Sequence, residues 1–233
     1  MNTLDRCEIA VRPSIPFIQL HPEAINLAAF KIGTHSLGPG RRAAFWVQGC
    51  PFHCKGCFAP EWIVNKQNMI APVHELAEMV FADPSISGIT ISGGEPMLQA
   101  GALRNLISLI RSKRYINVIC FTGFRYEALL TLPQFDQQRQ LMANLDVLID
   151  GPYIEERNDN RGLRGSNNQR IIHLTDQLRA YPFENIARKL EIMVENGNIF
   201  TVGVPPTGYL GAVDSALDSI VDLPREGTGY EWS

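Results

Sequence analysis

Three cysteines within eight residues constrain this chain more than any other feature of its sequence. Cys50, Cys54 and Cys57 have the spacing C-x3-C-x2-C. They follow the apolar run 43–47, which is typical of a buried strand. A loop after a buried strand of an α/β fold lies at the sheet edge where such folds place their sites. Three soft thiolates on one short loop are suited to zinc or to an iron–sulfur cluster.

The number of thiols favours a cluster over the alternatives. A [4Fe–4S] cluster normally takes four cysteines, so three would leave one iron open to an outside ligand. A structural zinc ion would need a fourth ligand, for which His53 is the candidate. His53 adjoins Cys54, and adjacent side chains converge on one tetrahedral ion only if the loop is contorted. A redox dithiol of Cys54 and Cys57 is a third interpretation, but it leaves Cys50 without a role.

A glycine turn follows the next predicted strand. The sequence Ile89–Ser92 runs directly into Gly93-Gly94-Glu95-Pro96. Glycines allow backbone carbonyls to approach a ligand closely, and Glu95 offers an acceptor to an ammonium group. An ordinary tight turn would explain the same residues, so the glycine turn indicates a ligand site only in combination with the cysteine triplet before it.

The composition indicates an ordinary soluble domain. Of the 233 residues, 45% are hydrophobic and 19% charged, and the formal net charge is −3. This length predicts one domain with a sizeable core. The sequence has no basic patch, no long apolar segment and no signal peptide, which predicts a cytoplasmic protein without nucleic-acid or membrane partners. Cys7 and Cys120 stand apart from the triplet, which argues against a disulfide scaffold.

The cysteine loop and the glycine turn together resemble the radical S-adenosylmethionine (SAM) enzymes. The resemblance implies that the three cysteines hold a [4Fe–4S] cluster and that the Gly-Gly-Glu-Pro element holds the amino group of SAM. Reductive cleavage of SAM would then yield a 5′-deoxyadenosyl radical, with flavodoxin or ferredoxin as electron donor. The remaining alternative is a zinc-binding interaction module without enzymatic activity.

Three further segments narrow the resemblance to glycyl-radical activating enzymes, in particular those of the anaerobic class III ribonucleotide reductase. These segments are the turn 38–42 (Gly-Pro-Gly-Arg-Arg), the loop 164–170 (Arg-Gly-Ser-Asn-Asn-Gln-Arg), and Gly56 with the aromatic Phe58 at the third cysteine. The implied activity is the installation of a glycyl radical on a partner enzyme. A radical SAM enzyme acting on another peptide or on a small molecule is the alternative.

The order of apolar segments predicts an α/β fold. Strands are expected at 25–33, 43–47, 89–92, 117–121, 147–149 and 170–174, with helices near 73–80, 103–110 and 125–144. Alternating strands and helices imply a parallel sheet with right-handed crossovers. The units are too few for a closed eight-stranded barrel, so we expect an open, partial (β/α) barrel of the radical SAM type.

The expected organisation is one domain over 1–233, with a core of about 30–174, a leader 1–29 and a C-terminal extension 186–233. Within the extension, apolar alternation on both sides of Asn196-Gly197 predicts a β-hairpin with a type I′ turn.

Two further residues end predicted strands and are candidates for the same site. Thr122 follows one strand, and Asp150 ends the next, where its carboxylate could bind the ribose of SAM or a cation. Asp150 could equally be a simple turn residue. The full set of predicted cofactor contacts is Gly56, Phe58, Ser92, Gly93, Gly94, Glu95, Thr122 and Asp150, with Cys50, Cys54 and Cys57 as metal ligands.

Overall fold

The computed structural model describes residues 21–195, 198–209, 211–213 and 215–216. Most of the predicted leader, Cys7 and the predicted turn at 196–197 therefore lie outside the described residues. No helix in the described part of the chain is long and apolar enough to cross a bilayer.

Seven strands form one mixed sheet in the order β3-β1-β2-β4-β5-β6-β7. The central strands β2, β4, β5 and β6 are parallel to one another, and β1 and β7 pair antiparallel with β2 and β6. The edge strand β3 pairs antiparallel with β1. The bounds are β1 Ala24–Thr34, β2 Arg41–Val47, β3 Met69–Pro72, β4 Ile86–Gly93, β5 Asn117–Thr122, β6 Val147–Asp150 and β7 Arg170–His173. The α/β fold predicted from the sequence is confirmed, but the sheet is only partly parallel.

The helices of the crossovers cover one face of this sheet. They are α1 Val73–Phe81, α2 Ala100–Lys113, α3 Tyr126–Thr131 and α4 Asp136–Met142. In α2 the apolar residues Leu103, Leu106, Ile107 and Ile110 are fully buried, as their spacing on one helical face requires. The helix ends in a basic turn that complements the negative end of its dipole.

A separate sheet of two antiparallel strands covers part of the other face. Its strands are β8 Leu190–Glu195 and β9 Asn198–Gly203, and they pair only with each other among the described strands. A second hydrophobic core joins Val202 and Val204 to Trp46, Ile119 and Ile149 of the main sheet. The two-stranded sheet thus packs on the face of the main sheet opposite the helices.

The turn 38–42 is structural and lies at the end of β2 away from the cysteines. Arg42 is completely buried, and not solvated as the sequence would allow. Its guanidinium donates to neutral oxygens, including Pro39 O at 3.0 Å, Thr90 Oγ1 at 2.6 Å and Asn117 Oδ1 at 2.6 Å. Burial lowers its pKa to about 9. The side chain of Arg42 therefore fastens this turn to β4 and β5.

Candidate functional site

A cavity of about 230 Å³ lies where the parallel strands end. Its walls come from the loops after β2, β4, β5 and β6, and from residues at the end of β9. The lining residues that matter most below are Cys50, Cys54, Cys57, Phe58, Ser92, Gly93, Gly94, Glu95, Thr122, Tyr153, Gln169, Thr201, Gly203, Val204 and Pro205. The carboxyl edge of a parallel sheet is where α/β folds bind ligands.

The three sequence-predicted thiols all face this cavity. Main-chain hydrogen bonds fix the start of the loop, because Gly49 N donates to Trp62 O at 2.8 Å and Cys50 N to Ile63 O at 3.0 Å. Cys57 N closes a turn onto Cys54 O at 3.2 Å. His53, the candidate fourth zinc ligand, is exposed and does not line the cavity.

Burial raises the pKa values of the Cys50 and Cys57 thiols, and the nearby Glu95 carboxylate adds to the shift of Cys50. A bound metal centre would offset this, since its positive charge deprotonates a coordinating thiol. Without such a charge, these two thiols would stay protonated at neutral pH.

The arrangement of the thiols suits a cluster better than a single ion. Among the described residues, no three Cys, His, Asp or Glu side chains converge closely enough to hold one metal ion. A zinc site needs four donors at about 2.0–2.3 Å from one ion. A [4Fe–4S] cluster binds each thiolate to a different iron, so its thiols lie farther apart than the ligands of a single ion. The donor set therefore fits a three-cysteine iron–sulfur cluster.

The glycine turn lies directly on the cysteine loop. Gly94 N donates to Val47 O at 2.7 Å, and Glu95 N donates to Gly49 O at 2.8 Å. A Cβ atom on Gly94 would meet Gly49 O at 2.2 Å, so no larger residue fits without moving the loop. The glycine at 94 is thus explained by the close approach of two main chains that both border the cavity.

Glu95 is buried, and its carboxylate organises the cavity wall. It accepts hydrogen bonds from Met97 N at 2.9 Å, Thr122 Oγ1 at 2.8 Å and Gly123 N at 2.8 Å. Burial raises its pKa to about 7 in spite of these bonds. From the described residues, the Oε2 atom accepts one hydrogen bond, from Gly123 N, so it retains capacity to accept another donor.

The loop 164–170 shapes the cavity by internal hydrogen bonds. The side chain of Gln169 accepts from Gly165 N at 2.8 Å and Ser166 N at 3.2 Å, and it donates to Gly151 O at 2.8 Å. Asn168 Nδ2 donates to Pro152 O at 2.8 Å. The loop is therefore not a solvated surface segment, because its amides hold the turn after β6 in place.

Two of the predicted cofactor contacts do not line the cavity. Asp150 is completely buried, and its carboxylate accepts from Tyr126 N at 2.8 Å and from the Arg170 guanidinium. Gly56 has φ +68°, and a Cβ atom there would meet Glu155 Oε1 at 2.5 Å. Direct contact of either residue with SAM stays a prediction, and these neighbours favour a supporting role for both.

Aromatic side chains form a wall that the sequence did not reveal. Phe58 packs on Tyr153 with ring centroids 4.8 Å apart, and Trp46 packs on Trp62 at 6.0 Å. These contacts join residues far apart in sequence, so no local pattern could predict them. Of these four aromatic residues, the sequence predicted only Phe58 as a site residue, because it follows the third cysteine directly.

Thiols, a glycine turn and an aromatic wall at the carboxyl edge of parallel strands define the site of an iron–sulfur enzyme on an α/β sheet. Residues 36–172, more than half of the chain, match the model of the 4Fe-4S single cluster domain family. The chain therefore belongs to this family, which confirms the cluster predicted from the cysteine triplet.

Two similar proteins are anaerobic ribonucleoside-triphosphate reductase-activating proteins. That of Vibrio cholerae is 32% identical over 152 residues, which cover 58% of this chain and 89% of the relative. That of Enterobacteria phage T4 is 29% identical over 145 residues, which cover 60% and 88%. A pyruvate formate-lyase-activating enzyme of Staphylococcus epidermidis is 32% identical over 81 residues, 32% of each chain. These relatives support the radical SAM activating enzymes as the class of this chain.

Proposed function

We propose that this chain is a radical SAM activase that installs a glycyl radical on a partner enzyme. The observation that carries the proposal is the single cavity into which the thiols of Cys50, Cys54 and Cys57 and the turn 93–95 all face. The match to reductase-activating proteins over about nine-tenths of their own length supports the same activity.

The residues of the cavity have separate roles in this proposal. The three thiolates would hold the [4Fe–4S] cluster. When bound, the cluster and SAM supply a 5′-deoxyadenosyl radical by reductive cleavage of SAM. Glu95 Oε2 would accept the SAM ammonium, and Phe58, Ser92, Gly93, Gly94 and Thr122 would line the rest of the SAM site. The aromatic wall would help to exclude water from this site.

The finer architecture also belongs to the proposal. We infer an open, partial (β/α) barrel in a single domain 1–233, with a core of about 30–174 and a hairpin-type extension in 186–233. Among the described strands β3 and β7 are the two edges of the main sheet and do not pair with each other, and the helices lie on one face of the sheet. Both features support this architecture. Flavodoxin or ferredoxin is the proposed electron donor.

Anaerobic reconstitution tests the proposal. The reconstituted protein should bind about four irons per chain. With dithionite and SAM, it should release 5′-deoxyadenosine and methionine, both measured by chromatography. An anaerobic pull-down from lysate should then retain a glycyl-radical enzyme. Protein that binds one zinc and no iron, or an iron-loaded protein that leaves SAM intact, would refute the proposal.

A further inference from the structure

The C-terminal sheet contributes one side of the reaction cavity. Thr201 and Gly203 of β9, followed by Val204 and Pro205, line the same cavity as the cysteine loop. All four lie beyond residue 172, where the family match ends. The match to the reductase-activating relatives covers 88–89% of their length but only 58–60% of this chain. Most of the unmatched part of this chain therefore has no counterpart in those relatives.

Packing holds this side of the cavity firmly on the main sheet. Val202 is completely buried and Val204 nearly so, both in the second hydrophobic core. Phe200 makes an edge contact with Trp46 at a centroid distance of 5.8 Å. Ser36 Oγ donates to Val202 O at 3.0 Å, and His35 N donates to Glu191 Oε1 at 2.6 Å. The segment is built into the fold.

One guanidinium links this segment to the loop 164–170. Arg188 Nη1 donates to Pro205 O at 2.9 Å, and Nη2 donates to Arg164 O at 2.6 Å and Gly165 O at 3.1 Å. Pro205 and Gly165 both line the cavity. The planar fork of arginine suits three carbonyls in fixed directions, and a lysine ammonium matches them less well.

We propose that the wall formed by Thr201, Gly203, Val204 and Pro205 selects the substrate, and that Arg188 is the positioning residue that holds it. The inference rests on the proposed function. Among the described residues that line the cavity, Glu95 is the only Asp or Glu, and none is Lys, Arg or His. Such a lining fits an uncharged, extended peptide segment around a glycine, whose Cα carries no side chain to clash with the wall. A phosphorylated small molecule would find no cation there.

The test compares Arg188→Met and Arg188→Lys with wild type in the iron-loaded enzyme. The matched control is Arg179→Met, since Arg179 is exposed and forms an ion pair with Asp176 three residues earlier. All proteins carry Trp232→Phe, so that fluorescence reports on Trp46 and Trp62. Acrylamide quenching measures access to these two residues.

The substrate probe is a capped alanine peptide with one α,α-dideuteroglycine, and mass spectrometry follows deuterium into 5′-deoxyadenosine.

Wild type should transfer deuterium from the alanine peptide to 5′-deoxyadenosine. It should transfer less from an anionic peptide in which glutamates flank the same glycine. Arg188→Met should bind as much iron as wild type and form as much total 5′-deoxyadenosine. Its tryptophan fluorescence should be quenched more readily by acrylamide. Its deuterium transfer should fall about tenfold, equivalent to about 1.4 kcal/mol. Arg188→Lys should recover part of the protection from quenching and part of the deuterium transfer, and Arg179→Met should match wild type in both measurements. If quenching and deuterium transfer are unchanged in Arg188→Met, Arg188 does not position the wall and the proposal is wrong. Transfer only from the anionic peptide, or none from either, overturns the substrate class. Wild type that cleaves no SAM contradicts the proposed function instead.

Discussion

At the scale of single residues, Glu95 is subject to two opposing effects, hydrogen bonding and burial. Its buried carboxylate must accept three protein hydrogen bonds, and burial favours its neutral form, with a pKa of about 7. A carboxyl whose pKa is raised on folding contributes its stability fully below the unfolded value, near 4.5. That contribution is lost as pH rises through the folded value.

The stability of the metal-free protein should therefore fall as the pH rises from 4.5 to about 7. The shift from 4.5 to about 7 corresponds to about 3 kcal/mol as an upper limit. Glu95→Gln should remove this part of the pH dependence, whatever its effect on stability at any one pH. Thermal unfolding at several pH values measures both proteins. A variant with the same slope as wild type would show that Glu95 is ionised throughout.

The cysteines differ in what their loss should cost. Replacing Cys50, Cys54 or Cys57 by Ala should abolish iron binding, because each lines the cavity. Cys120→Ala should retain about four irons per chain, since Cys120 is fully buried in the core between sheet and helices. Cys7→Ala serves as a second control. Iron analysis after anaerobic reconstitution decides, and loss of iron in Cys120→Ala would require a four-cysteine site.

These residues also show what the sequence could predict. The thiols and the glycine turn are local signals, since each consists of neighbouring residues whose chemistry is specific. The burial of Arg42 was not predictable, because its partners Thr90 and Asn117 come from other strands. The roles of Tyr153 and Gln169 likewise depend on contacts between distant segments.

At the scale of elements, Asp150 joins β6, α3 and β7. It accepts the first main-chain N–H of α3 and the guanidinium of Arg170, its register partner on β7. Asp150→Asn should lower the free energy of unfolding by about 2–4 kcal/mol. This is slightly below the cost of breaking a fully buried pair, because the Arg170 side chain is 43% exposed.

Glu127→Gln is the matched control for Asp150→Asn. Glu127 binds the same guanidinium but is largely exposed, so its loss should cost no more than about 1 kcal/mol. Denaturant unfolding measures the stability of both variants, and anaerobic calorimetry measures their SAM affinity. If Asp150→Asn keeps its stability but loses SAM affinity, Asp150 contacts the cofactor as the sequence analysis expected.

The elements themselves were largely predictable where a periodic pattern specified them. The helices at 73–81 and 100–113 and the parallel strands β2, β4, β5 and β6 lie where apolar spacing placed them. The short strand β3 was missed, because Met69 and Ile70 are exposed on an edge strand and give no alternation. The antiparallel edges could not be predicted, since the direction of pairing depends on distant contacts.

At the scale of the whole molecule, the C-terminal sheet completes a core that the family region leaves partly uncovered. Val202 packs with Trp46 and Ile149 on the face of the sheet opposite the helices α1 to α4. A two-stranded sheet is marginal alone in water, so its stability must come from this packing. The main sheet in turn depends on β9 to keep water from the second core.

Removing residues 186–233 should therefore lower the melting temperature and impair cluster retention. In the full chain, Val202→Ala should cost about 1.5–3 kcal/mol. Ile192→Ala on the paired strand should stay within about 0.5 kcal/mol, because Ile192 is 56% exposed. Thermal unfolding and iron content measure all three. A soluble truncated protein with full iron content and normal SAM cleavage would show that the sheet does not stabilise the fold, and would leave substrate selection as its role.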